Sequence, residues 1–391
     1  GEGDDIVLFN PSSSPRRELV DIPGAGPTVV DVPACSWTSL TPSDATTPAP
    51  VAIDGSTMEN EHLRVTWDER GLLTSVYDKD AEREVLAGPG NLFQVHEDNP
   101  LAYDAWDVDL SYLDTVTDLT EVAAIEIVAA NGPRAEARFT RSFGDSTITQ
   151  TMRLDAGSRR LEFHTEVDWR EHHRFLKVAF PVDVRSSTAT YEIQHGHLER
   201  PTVRNTSWDI ARFEVSAHRW ADLSEPGYGV ALLNDCKYGY DVHRNVMRLS
   251  LLRAPGWPDP EADRGHHRFA YALLPHVGDL RDAGVIAAAE AFNLPIDVRT
   301  GTSASGTIVA VDRPNISVEA VKKADREDAI VVRLCEVWGA RGPVRITIGA
   351  PVTSVTKTDL LERDIDEHAV DDGTVEITMR PFELVTLKLR T

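Results

Sequence analysis

Between Ile148 and Trp169, apolar and polar side chains trade places at every step. Ile148, Gln150, Met152 and Leu154 share one side, Ala156-Gly157 turns the chain, and Leu161, Phe163, Thr165, Val167 and Trp169 share one side of the return. A period of two puts alternate residues on opposite faces of a strand. Leu176, Val178, Phe180, Val182 and Val184 continue the alternation, which predicts a three-stranded antiparallel meander. Leu63, Val65 and Trp67 alternate in the same way, Asp68-Glu69-Arg70-Gly71 can reverse the chain, and Leu73 to Tyr77 returns, with Gly71 able to take positive φ. Short strands also read at Thr307 to Val311, Ile330 to Leu334, Val344 to Ile348, Val375 to Met379 and Leu384 to Leu389. A helix is predicted from Leu280 to Phe292, with Asp279 as N-cap and Asn293 and Pro295 ending it. Strands at this frequency, separated by short Gly/Asp turns, define an all-β chain of stacked antiparallel sheets.

Two stretches interrupt the alternation. Pro42 to Pro50 reads as a linker, and Thr300 to Gly306 is rich in Gly, Ser and Thr. The expected organisation is therefore an N-terminal β segment over 1–50, a large β unit over 51–300 and a C-terminal β-sandwich over 301–391. The first piece is too short to bury its own core, so it is expected to pack on a neighbouring unit.

The formal charge of −23 opposes binding to nucleic acid and to anionic membrane, and no window has the 18–20 apolar residues of a bilayer crossing. The acidic start, Gly1 to Asp5, is the reverse of a signal-peptide leader. Three widely spaced cysteines, Cys35, Cys236 and Cys335, suit a reducing compartment, and the cytoplasm is expected. Among thirteen histidines, His195-Gly196-His197 could set two rings on one strand face, but no third ligand follows at a recognisable offset. His96-Glu97-Asp98 has the same weakness, while His172-His173 and His266-His267 would alternate faces in strands. No metal is expected in this chain. Phosphate-cradling glycine loops and a GxSxG elbow are absent, and Cys236 has no assignable His partner.

Two loops are dense in groups that grip sugars. Asn99 to Asp109 holds Asp104, Trp106 and Asp107; carboxylates accept hydroxyl hydrogens while an aromatic ring covers the apolar sugar face. Arg253 to Gly265 holds Arg253, Trp257, Asp259 and Asp263 in a stretch stiffened by three prolines. The same residues also suit an interface loop with a buried Trp and a rigid connector.

The strings around these loops resemble the C-terminal half of glycoside hydrolase family 38 α-mannosidases, nearer the cytosolic type than the Golgi or lysosomal one. They include Met58 to Glu61, Asp104-Ala105-Trp106-Asp107, Glu199 to Thr202, Asn205 to Asp209, Tyr228 to Gly239, Leu249 to Arg253, Tyr271 to His276, Arg333 to Glu336 and Pro381 to Leu387. The resemblance implies a large supersandwich of the galactose mutarotase-like kind with smaller flanking β-sandwich elements. It implies a parent that hydrolyses terminal α-D-mannosyl residues of oligosaccharides with retention, through a covalent glycosyl intermediate. Zinc or another divalent metal, the nucleophile and the acid/base would lie in an N-terminal catalytic domain with no counterpart here. No catalytic residue is therefore assigned, and Asp104, Trp106, Asp107, Arg253, Asp259 and Asp263 are candidates for the substrate rim. The partners implied are that catalytic domain and a mannose-containing oligosaccharide. A face stripped of its domain would expose aromatic surface and favour a homo-oligomer. The competing readings are a free-standing carbohydrate-binding module on Trp106 or Trp257, and an epimerase-like enzyme that would need a His and a Glu facing each other in an open cleft.

Overall fold

The computed structural model describes residues 6–40, 49–301 and 305–390. The chain divides into two compact units, one drawn from Gly1–Thr47, Ile193–His197 and Glu290–Thr391, the other from Pro48–Glu192 and Leu198–Ala289.

The larger unit is a two-sheet sandwich with a small sheet beside it. One sheet has nine strands, in the order Ala124–Ala129, Arg134–Phe143, Ser146–Asp155, Leu161–Trp169, Gly265–Val277, Tyr228–Asn234, Trp220–Glu225, Thr188–Ile193 and Gly196–Pro201. The second has six, in the order Thr117–Asp118, Leu92–Glu97, Arg174–Pro181, Val246–Leu252, Gly239–His243 and Val215–Ser216. The residues that alternate inward fill the core: Ile148, Met152, Leu154, Phe163, Val178 and Phe180 are all buried. Removing such apolar surface from water is the main driving force of the sandwich.

The predicted meander holds for its first two strands, which pair from Thr147↔Asp168 to Leu154↔Leu161. The third is a correction. Arg174–Pro181 leaves the nine-stranded sheet and pairs with Leu92–Glu97 and Val246–Leu252 in the other, while Leu161–Trp169 pairs with Gly265–Val277. Alternation reveals which face of a strand is apolar, and both inner faces of a sandwich are apolar alike.

The hairpin of Leu63–Trp67 and Leu73–Asp78 forms as expected, with Gly71 at φ +68°. A Cβ on Gly71 would stand 2.7 Å from Phe139 Cδ1, so packing as well as backbone angle demands glycine. The helix is shorter than predicted and spans Val285–Asn293. Gly284, at φ +71°, interrupts the helical path, and Asp279 instead closes a turn by accepting hydrogen bonds from the Arg281 and Asp282 amides.

In the other unit, Ile6–Asn10 lies between Asp297–Thr300 and Ser36–Leu40 in a four-stranded sheet. A five-stranded and a three-stranded sheet enclose a core of Val332, Leu334, Val344, Ile346, Val385 and Leu387. The stretch read as Thr307 to Val311 is split between two sheets, as Gly306–Thr307 and Val309–Val311. The linker Pro42 to Pro50 and the middle of Thr300 to Gly306 lie largely outside the described residues. No helix of the described residues is long and apolar enough to cross a membrane.

Candidate functional site

Three neighbouring strands of the six-stranded sheet dictate where the two loops rich in aromatic and acidic residues meet. Leu92–Glu97 ends, Arg174–Pro181 begins and Val246–Leu252 ends at one edge of the sheet, because adjacent strands run antiparallel. The loops that follow or precede them therefore converge.

At the centre is a bidentate pair: Arg253 donates from Nε to Asp98 Oδ2 at 2.7 Å and from Nη2 to Asp98 Oδ1 at 2.9 Å. The Asp98 side chain is 1% exposed. The same Nη2 donates to the carbonyls of Asp107 at 2.5 Å and Asp104 at 3.3 Å, so one guanidinium ties the Asn99–Asp109 loop to its own. Asp104 answers in the opposite direction. Its Oδ2 accepts from the Gly256 and Trp257 amides at 2.7 and 3.0 Å, and His173 Nδ1 lies 3.6 Å from its Oδ1. His173 also accepts at its backbone, from Asp98 N–H at 3.0 Å, and donates its N–H to the Ala254 carbonyl at 2.9 Å.

On this base stand two indoles. Trp106 and Trp257 are 67% and 61% exposed, with centroids 5.7 Å apart and planes at 62°. Tyr103 and Leu101 are exposed beside them in sequence. This corrects the reading of the loop as one with a buried Trp: the rings face solvent, while the carboxylate and guanidinium beneath them are the packed parts. The remaining candidates separate. Asp107 and Asp259 are exposed, and among the described residues their carboxylates accept from nearby amides, Val108 and Glu261 respectively. Asp263, at φ +57°, accepts weakly from the Arg253 and Ala254 amides.

The structure also redistributes the histidine motifs. His172 and His173 lie in a bend, with His173 at φ +50°, and His195 sits at φ +56° in a turn rather than sharing a strand face with His197. His96 is buried with Nδ1 3.1 Å from the Tyr112 carbonyl, and Asp98 serves Arg253. Among the described residues no three His, Cys, Asp or Glu side chains converge to hold a metal ion. Burial, with Asp235 second, pushes the Cys236 thiol up to about 11, away from nucleophilic use.

Sequence reasoning missed a polar cluster on the same sheet. Lys177, fully buried, is paired with Glu214; Tyr112 Oη donates to Glu214 Oε1 at 2.5 Å and Ser250 Oγ to Oε2 at 3.1 Å. Burial pushes the Glu214 carboxyl up, with the Lys177 charge opposing it. Lys177 occupies the outward position of an alternating strand, which reads as solvent-facing until Leu110–Asp114 and the chain near Glu214 cover it. The only signal was the near-continuous apolar run around it, Phe175 to Phe180. A second missed group, Ser224, Asp222 and His276, resembles a hydrolytic triad but cannot act as one. Asp222 stands in the middle, accepting from Ser224 at 2.6 Å and facing His276 Nε2 at 2.8 Å, so the imidazole cannot take the serine proton.

Residues 58–261 match the profile "Glycosyl hydrolases family 38 C-terminal domain", and residues 315–387 match "Glycosyl hydrolases family 38 C-terminal beta sandwich domain". The chain belongs to glycosyl hydrolase family 38, as its C-terminal portion. Within the family, it is 42% identical over 400 residues to alpha-mannosidase 2C1 of Homo sapiens, covering 98% of this chain and 38% of that protein. It is 34% identical over 351 residues to alpha-mannosidase G of Dictyostelium discoideum, covering 85% of this chain and 32% of that protein. The chain thus spans well under half the length of these relatives. A crystal structure of an alpha-mannosidase from Enterococcus faecalis V583 superposes with a TM-score of 0.75 at 18% identity, covering 99% of this chain and 51% of that one, which shows a shared fold.

Proposed function

We propose that this chain is the β scaffold of a retaining α-mannosidase acting on mannose-containing oligosaccharides in the cytoplasm, and that its hydrolytic groups are carried by other polypeptide. The observation that carries this reading is the pair of exposed indoles on loops tied together by the bidentate Arg253–Asp98 pair. Exposed aromatic surface on an ordered loop belongs to an interface or a ligand rim. In this proposal Trp106 and Trp257 meet the catalytic domain at the edge of its pocket, Asp107 and Asp259 offer free carboxylate oxygens to sugar hydroxyls, and Arg253, Asp104 and Asp263 hold the loops in place. Zinc or a related divalent ion acts in the catalytic domain. The −23 charge and the three free cysteines support a cytoplasmic protein without nucleic-acid or membrane partners.

The test is an assay with an aryl α-mannoside, with and without zinc, on the chain alone and on the chain joined to the preceding part of its parent. The chain alone is expected to be silent, and the joined protein active. Turnover by the chain alone overturns the assignment. Saturable heat on titrating mannobiose into the isolated chain, lost in Trp106→Ala, would instead establish a free-standing sugar-binding module.

A further inference from the structure

At a different part of the larger unit, Arg83, Arg185 and Arg244 line a cavity of about 950 Å³ together with Asp183, Ser187, Glu225 and Asn245. That volume is in the range of small-molecule sites. Three cations against two carboxylates make a local positive excess in a chain of formal charge −23.

The three arginines are differently committed. Arg83 is held in place: Nη1 donates to Glu225 Oε1 at 3.0 Å, Nη2 donates to the Asp183 carbonyl, and the guanidinium lies over the Tyr228 ring at 4.1 Å. Glu225 is fully used, since its other oxygen accepts from the Arg185 amide at 2.9 Å. Arg185 and Arg244 are exposed, and their guanidiniums have neither hydrogen bond nor ion pair among the described residues. Arg244 occupies the first position of the two-residue turn between Gly239–His243 and Val246–Leu252, at φ +56°, where glycine or asparagine is the cheaper choice. The turn is fixed by Arg244 N–H donating to the Thr202 carbonyl and Asn245 Nδ2 to the Val182 carbonyl.

We propose that this cavity binds a small phosphate monoester or phosphate itself, with Arg185 and Arg244 as the free guanidinium forks and Arg83 as the fixed wall. A carboxylate offers two oxygens and fills one fork, whereas a phosphate dianion offers three strong acceptors to guanidiniums on several sides.

The experiment is isothermal titration of the full chain, in low salt near neutral pH, with inorganic phosphate, a hexose phosphate and glucuronate. Saturable binding of at least one phosphate species is expected. Arg185→Gln and Arg244→Gln should each weaken it about tenfold, equivalent to about 1.4 kcal/mol, with unchanged melting temperature in the absence of ligand. Both side chains are exposed, so the variants fold; Arg83→Lys serves as a further variant that keeps the charge but loses the fork. Tighter binding of the hexose phosphate supports the site with a sugar ester as ligand, and equal binding supports it with the free anion. No saturable heat with either, binding insensitive to both substitutions, or glucuronate bound as tightly as phosphate overturns the proposal.

Discussion

Replacing Arg253 by alanine removes the cation that neutralises a carboxylate 1% exposed, together with two bonds to loop carbonyls. Leaving one partner of a buried pair uncompensated costs about 3–5 kcal/mol, and each bond to a neutral carbonyl adds about 1 kcal/mol. Arg253 itself is 19% exposed, so water can reach the vacated space and satisfy the two freed carbonyls, which leaves the lower end of the pair cost, about 3 kcal/mol, as the expected loss. In a unit of this size 1 kcal/mol corresponds to about 2–4 °C, giving a fall of about 6–12 °C. Calorimetry reads the midpoint, and amide exchange at Gly256 and Trp257, whose N–H groups donate to Asp104, reads the local loosening of the loops. The double variant with Asp98→Asn should recover part of the loss, because the buried charge goes with its partner. A midpoint within about 1 °C of the parent with both amides still protected would refute the reasoning, as would strict additivity in the double variant.

Trp106→Ser and Trp257→Ser remove rings that are mostly in water, so each should shift stability by less than about 1 kcal/mol, while size-exclusion chromatography shows reduced self-association of the isolated chain. Burial, outweighing the Tyr112 carbonyl, brings His96 down to about 4 from its ordinary 6.5. The unfolded chain therefore takes up this proton first, and stability is lost as pH falls from about 6.5 to about 4; urea titrations should give wild type an acid loss exceeding that of His96→Gln, by on the order of 3 kcal/mol at most. Gly71→Ala brings a Cβ to 2.7 Å from Phe139 Cδ1 and 2.9 Å from Arg141 Nη2 and should cost about 1–3 kcal/mol by chemical denaturation. Gly55→Ala, also at positive φ but in open space, should cost less. Tyr271→Phe leaves Gln150 and Asn91, each 2.7 Å from the hydroxyl, short of a buried partner and should lower the unfolding free energy by about 1–3 kcal/mol.

Alternation along Ile148–Trp169 and the glycine of the Leu63–Tyr77 hairpin are local properties, and each was legible residue by residue. The partner of Arg174–Pro181 was not, because a strand's periodicity carries its apolar face and no information about which sheet it joins. The same limit explains the site. Aromatic and acidic residues in two loops could be singled out from their types, but that Asp98 belongs to Arg253, and that Asp104 faces the amides of Gly256 and Trp257, follows from three strands ending at one edge of a sheet. Lys177 was illegible for the opposite reason: its strand position points outward, and only distant segments bring Tyr112 and Glu214 over it. Asp279 reads as an N-cap, but it closes a turn instead, because Gly284 delays the helix that it was expected to start.

The pairing of Ile6 with Thr300 and of Leu8 with Val298 has a consequence for biosynthesis. A ribosome releases the first of these strands long before the second exists, and the whole larger unit must be translated in between. Until then Ile6–Asn10 has only Ser36–Leu40 alongside, leaving one backbone edge open to mispairing. Closure of that sheet is thus a late event in the life of the nascent chain, and slowing translation before Asp297 should raise its demand for chaperones.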